Sequence, residues 1–368
     1  MIRYIAFYLP QYHPIPENDN WWGKGFTEWR NVVTATPKFK GHYQPHIPAD
    51  LGFYDLRLDV IRKQQADMAR DFGVYGFCYY HYWFDGRRLL GKPLDDVLNS
   101  GQPDFPFCIC WANENWTRVW DGRQDDVLIE QRYSKSSNLQ HIELLSKIFS
   151  DNRYIKVDGK PLFLIYRPFD IPDLDAFLSN LRDSICALGF PGVYVCGMKT
   201  NFSKNKNIEN VTSLLDALID FQPNKNDFPT ANDPISFLYT QLEKILSNKI
   251  YQWLKRNVSA IKKVQYDRYV KQKIGKLWFK NKTFPVVFPS WDNSARRKSA
   301  IVIQNNDASL YEEWLKYSMD VVSSYPEAEQ FVFINAWNEW AEGCHLEPDL
   351  KNGFAFLEAT KRASLDKL

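Results

Sequence analysis

Short apolar runs recur eight times along the chain, each ending in a polar or aromatic cluster and each followed by a connection long enough for a crossover helix. They are Ile2–Leu9, Val74–Tyr80, Phe105–Trp111, Pro161–Tyr166, Val193–Gly197, Ala217–Phe221, Pro285–Phe288 and Phe331–Ile334. Helical spacing marks several connections. Leu58, Ile61, Met68 and Phe72 repeat through Asp55–Phe72 ahead of Gly73, and Pro93–Asn99, Asn138–Phe149, Leu174–Leu188, Ala308–Tyr325 and Gly353–Leu368 also read as helices. Strands and helices alternating in this number predict one α/β domain over 1–368, a (β/α)8 TIM barrel. A doubly wound sheet is the alternative. Such a sheet usually has a glycine-rich first turn, whereas here Pro10-Gln-Tyr-His13 closes the first strand. In a barrel, every strand-end cluster falls at the C-terminal face, where barrel enzymes keep their sites.

The last cluster is the densest. Phe331–Ile334 reads as a strand covered on both faces, and Asn335, Trp337, Asn338, Glu339, Trp340 and Glu342 follow where it should stop. Two carboxylates three residues apart, interleaved with tryptophans, point to acid/base work on a sugar ring, with Trp337 and Trp340 as aromatic walls. The plainer reading is a solvated loop or a helix start, where Glu is common. Aromatic residues make up 16% of the chain, with 13 Trp, which fits carbohydrate contact, although a Trp-rich core accounts for several of them.

A net charge of +2 argues against nucleic acid as a global partner. Cys78, Cys108, Cys110 and Cys196 fall in apolar runs and are expected as reduced buried thiols. Cys108-Ile-Cys110 lacks the second pair a metal site would need, so no metal and no cofactor is expected. A strand beginning near Arg3 leaves no room for a signal peptide, and no apolar run is long enough to span a bilayer. A cytoplasmic location is therefore expected. Between strands six and seven, residues 233–283 read as a basic helical insertion. Its segment 244–282 carries twelve Lys or Arg against the single acid Asp267, with apolar residues interleaved. That pattern suits peripheral contact with an anionic membrane at the inner face, and equally a solvated helical hairpin.

Asn338-Glu-Trp-Ala-Glu-Gly343, with Glu347-Pro348 behind it, resembles the catalytic segment of glycoside hydrolase family 99. The opening Phe7-Tyr-Leu-Pro-Gln-Tyr-His-Pro-Ile-Pro-Glu-Asn18 and Trp21-Trp-Gly-Lys-Gly-Phe-Thr-Glu-Trp29, a stretch read as a long loop over the site, look like the WbsX-type branch of that clan, commonly labelled a glycosyltransferase family of bacterial surface-polysaccharide loci. The resemblance implies a retaining barrel enzyme on manno-configured sugars, working through a 1,2-anhydro sugar. Glu339 would take the proton of the sugar 2-hydroxyl, and Glu342, with a raised pKa, would protonate the leaving oxygen. Ala341 stands where family 99 hydrolases usually have His, a departure that bears on substrate and outcome.

Further mouth candidates rest on strand-end position alone: Tyr12 and His13 after the first strand; His81 and Trp83 after the second; Asn113, Glu114, Trp116, Arg118 and Asp121 after the third. Arg167 follows the fourth strand, and Trp291, Asp292 and Asn293 the seventh. Lone histidines such as His13 and His81 are as often structural as functional, and Glu28 reads as a possible loop anchor. Three functions follow. The first is a carbohydrate-active enzyme cleaving or transferring a mannose or rhamnose linkage in a bacterial oligo- or polysaccharide, free or lipid-linked. The second is a nucleotide-sugar-dependent glycosyltransferase of O-antigen or capsule biosynthesis, and the third a non-catalytic glycan-binding module.

Overall fold

The computed structural model describes residues 2–118, 123–200, 208–224, 227–228, 261–275 and 281–366. Eight parallel strands form the centre: β1 (Arg3–Tyr8), β2 (Gly76–Phe84), β3 (Phe107–Trp111), β4 (Lys160–Ile165), β5 (Tyr194–Met198), β6 (Ala217–Asp220), β7 (Thr283–Val287) and β8 (Phe331–Ile334). β1 pairs with β2 on one side, Ile5 opposite Gly76, and with β8 on the other, Tyr4 opposite Val332. The sheet therefore closes on itself as a barrel, and the open doubly wound alternative is excluded. A helix follows each strand: α1 (Asp59–Asp71), α2 (Lys92–Ser100), α3 (Lys135–Phe149), α4 (Leu174–Ala187), α5 (Ile208–Thr212), α6 (Tyr266–Ile274), α7 (Ala308–Val322) and α8 (Ala355–Leu365). Short polar side chains start several of them. Ser134, Asp173 and Asp307 each accept a hydrogen bond from a first-turn N–H, which satisfies donors the helix itself leaves unpaired. The barrel strands are buried on both sides, and Cys78, Cys108, Cys110 and Cys196 are buried and unbridged, as expected.

Three elements differ from the sequence expectation. β2 runs on to Phe84 because Tyr82, Trp83 and Phe84 pair antiparallel with Arg87–Leu89, so part of the second cluster is strand. The stretch read as a loop over the site contains two short helices, Pro16–Trp22 and Trp29–Val33, the first started by a proline whose missing N–H costs nothing there. Most of the basic insertion lies outside the described residues. Of the described part, Ile261–Gln265 is a strand paired with Ala300–Gln304, not helix, and α6 packs into the core through Tyr266, Tyr269 and Val270. Lys273 on α6 is itself buried, 2.7 Å from Asp220 and 2.9 Å from Asp227. An uncompensated buried ammonium would be costly, and these two carboxylates are its compensation. No helix among the described residues is long and apolar enough to cross a membrane.

Candidate active site

After β8 the chain makes a two-residue strand, Asn338–Glu339, that pairs antiparallel with Cys344–His345 through a turn holding Glu342. Gly343 ends that turn at φ +54, with the Asp292 backbone nitrogen 3.0 Å from where a Cβ would stand. Only glycine suits both the backbone angle and the space. Alternation along the strand points its two residues to opposite faces. Asn338 turns inward: its Oδ1 accepts from the Leu9 N–H at 2.7 Å and its amide donates to the Leu9 carbonyl at 3.1 Å, stitching β8 to the end of β1. Glu339 turns to a cleft of about 890 Å³ at the C-terminal face, which Glu342 also lines.

One guanidinium gathers the acids. Arg296 donates from Nε to Glu28 at 2.6 Å and from Nη2 to Glu339 at 3.0 Å, and its Nη1 lies 3.1 Å from Glu342. Burial pushes the Glu339 carboxyl up to about 8; Arg296 opposes the rise, and the charges of Glu342 and Glu28 add to it. Burial works against the Arg296 charge too, but the three carboxylates hold it firmly in its protonated form. The sequence led us to expect Glu342 as the desolvated acid. Its side chain keeps 19% exposure, and the buried carboxyl is Glu339 at 9%.

A family model described as glycosyltransferase WbsX matches residues 4–360. The chain belongs to this family. Two curated relatives, both described as uncharacterized protein WxcX, come from Xanthomonas campestris pv. campestris strains B100 and ATCC 33913. Each is 38% identical over 366 residues, a match that covers 98% of this chain and 49% of the relative. The WbsX chain thus spans about half the length of the curated relatives it matches. Among solved structures, the GH99 endo-α-mannosidase of Bacteroides thetaiotaomicron superposes with TM-score 0.55 at 15% identity, covering 98% of this chain and 95% of that one. A structure titled glycoside hydrolase-like protein gives TM-score 0.56 at 13% identity, covering 98% and 93%. These likenesses establish a shared barrel fold.

Several sequence candidates of the WbsX chain do line the cleft: Asn113, Glu114, Trp116, Arg167, Trp291 and Asn293 join Glu339 and Glu342. Glu114 accepts from Arg167 Nε at 2.8 Å, and Asn113 bridges to the Arg167 backbone, so the ends of β3 and β4 are tied together. Arg118 stands over the Trp22 ring at 5.4 Å. Asp121 lies outside the described residues.

Other candidates support the site from behind. Trp337 and Trp340 are fully buried and form no wall. Trp340 donates to Glu347 at 2.6 Å and stacks on His345 with ring centroids 3.7 Å apart. Tyr12 is buried and donates its hydroxyl hydrogen to the Asn338 carbonyl. Asp292 is buried. Burial pushes its carboxyl up, but hydrogen bonds from His42, at 2.6 Å, and from Ser294 and Gln44 outweigh that and leave it below the usual carboxylate range. His13 is buried away from the cleft lining, and desolvation brings its pKa down to about 4. His81 and Trp83 face α3 instead of the cleft: His81 Nε2 is 2.9 Å from His141 Nε2, and Trp83 donates to Ser137 at 3.0 Å.

Sequence position alone missed Arg296, the aromatic wall and the role of Glu28. Tyr80, Tyr82, Tyr133, Tyr166 and Phe221 line the cleft with Trp21 and Trp22 from the first connection. The tryptophan doublet was the available signal. Arg296 had none beyond its place five residues after Trp291.

Proposed function

We propose that the cleft is the active centre of a retaining carbohydrate-active enzyme that cleaves or transfers a mannose- or rhamnose-type residue of a bacterial surface polysaccharide, free or lipid-linked. Glu339 takes the proton of the sugar 2-hydroxyl; Glu342 protonates the departing oxygen and then activates the incoming one. The observation that carries this reading is the placing of both carboxyls on neighbouring nitrogens of the Arg296 guanidinium, within an aromatic cleft. A double displacement wants its nucleophile and acid/base about 5–5.5 Å apart across the bond being broken. Two carboxyls gripped by one edge of a guanidinium approach from the same side, which favours a substrate that supplies its own nucleophile from O2. The partial exposure of Glu342 suits a group that meets leaving and accepting oxygens. The raised affinity of Glu339 makes it a strong base once ionised.

A nucleotide-sugar-dependent transferase is the second reading, favoured by the family's description and by cationic side chains, Arg167 and Arg297, on the cleft wall. Mass analysis of products from polysaccharide fragments incubated with and without nucleotide sugars separates the two. For the first reading, Glu342→Gln should cost about 10²–10⁴-fold on substrates with poor leaving groups and far less on an activated aryl glycoside. A 2-fluoro substrate should be neither cleaved nor trapped. A stable adduct on Glu339 would overturn the assignment and make that residue a conventional nucleophile.

A further inference from the structure

Outside the cleft lining, a second set of ligating side chains converges on the return strand of the hairpin that carries Glu339. His345 Nδ1 lies 2.9 Å from the Glu347 carbonyl oxygen. A carbonyl only accepts, so Nδ1 carries the ring proton and Nε2 presents a lone pair. That Nε2 is 3.0 Å from His46 Nδ1 and 3.8 Å from Asp349 Oδ2, and the three ligand atoms all lie within 4.8 Å of one another. All three residues are buried. Asp349 is oriented in turn, its Oδ1 accepting from the Lys351 N–H at 3.0 Å and its Oδ2 from the Asn352 amide at 3.0 Å. Hydrogen bonds that fix the far side of His345 and orient Asp349 are of the kind metal-ligating histidines and carboxylates ordinarily show.

Around a tetrahedral ion with bonds of ~2.0–2.2 Å, ligand atoms stand about 3.3–3.6 Å apart. The two shorter separations bracket that value, and the third, within 4.8 Å, must close by up to about 1.5 Å for the trio to meet on one ion. We propose that His46, His345 and Asp349 bind one divalent ion of the zinc class, with water as the fourth ligand. Two imidazoles and one carboxylate match zinc better than calcium or magnesium, which take oxygen ligands. His46, His345 and Asp349 lie outside the cleft lining, so the ion braces the structure and does not meet a ligand in the cleft. It pins the loop around His46 to the segment after β8, which already meet where the Ala49 N–H donates to the Pro348 carbonyl at 3.0 Å and the Leu350 N–H to the Ile47 carbonyl at 3.0 Å. His345 carries this bracing to the hairpin through its pairing with Asn338. The proposal is independent of the reaction assigned to the cleft.

The test uses untagged protein stripped with chelator, dialysed, and incubated with Zn²⁺ or Mg²⁺ before desalting. Zinc should be retained at about one equivalent, with a Tm at least about 3 °C above the stripped protein; magnesium should do neither. His46→Gln keeps an N–H to donate to His345 but ligates zinc poorly, so that variant should fold and lose both effects. If the wild type retains no zinc, or if His46→Gln retains it with the same Tm rise, the trio is a hydrogen-bonded pair beside a carboxylate and the proposal fails.

Discussion

Three carboxyls share one guanidinium at the centre of the site, so their charges cannot all be matched, and Glu339 is the acid whose proton affinity burial raises, to about 8. If ionised Glu339 is the working base, the limb of kcat/KM that rises with pH should be centred near pH 8. The Glu28 charge helps hold that value up, so Glu28→Gln should move the limb to lower pH; an unmoved limb would remove Glu28 from the electrostatics. Stability follows the same group with a definite sign. A carboxyl whose folded pKa is raised favours the native state below its unfolded value, near 4.5, and loses that contribution as pH rises towards about 8. Glu339→Gln mimics the protonated form. Its Tm should therefore fall less between pH 5 and 8 than that of the wild type. The two glutamates were legible in the sequence because tryptophans flank them at a strand end. Arg296 was not: in Arg296-Arg297-Lys298 it reads as one more solvated cation, and only the fold reveals that it faces three acids.

The hairpin after β8 depends on a turn that tolerates no side chain at Gly343. Gly343→Ala must adopt a left-handed backbone and push against Asp292, at a cost of roughly 1–3 kcal/mol. We expect a lower denaturation midpoint and reduced turnover, because the displaced turn carries Glu342. Unchanged midpoint and activity would show that the turn relaxes freely. Element existence was plain from apolar runs, but which face each element buries was not. Of the residues that apolar spacing singled out for the first helix, Ile61, Met68 and Phe72 pack against the core, but Leu58, just before α1, is 52% exposed, and the inward face also bears Arg62 and Gln65. Gln65 is stable there because it donates to Glu347 at 2.7 Å and accepts from the Tyr8 hydroxyl at 2.7 Å, and hydropathy has no means of registering such partners. Trp337 and Trp340 misled for the related reason that a tryptophan near a site serves equally as wall or as buttress.

At the scale of the molecule, the eightfold alternation was enough to anticipate a closed barrel, since each strand and its crossover announce themselves locally. The basic stretch was harder to read, because a charge count does not say where the charges point. Lys273 is internal, offset by Asp220 and Asp227, and the exposed Lys282 pairs with Glu329 at 2.5 Å, so among the described residues fewer free charges are on offer than the sequence implies. Contact with an anionic membrane, if the stretch provides it, should then be weak. Vesicles rich in anionic lipid should co-sediment the protein at low salt and release it at high salt, and equal capture by neutral vesicles would dismiss the idea. Closure has a consequence in time. β1 emerges first from the ribosome among the eight strands, yet one of its two partners is β8, made last, so through most of synthesis it waits with an open edge and the barrel cannot shut. Glu339 and Glu342 lie just beyond that final strand. A nascent or prematurely terminated chain therefore lacks its closure and the two cleft carboxyls together, and the cleft is complete only when the barrel is whole.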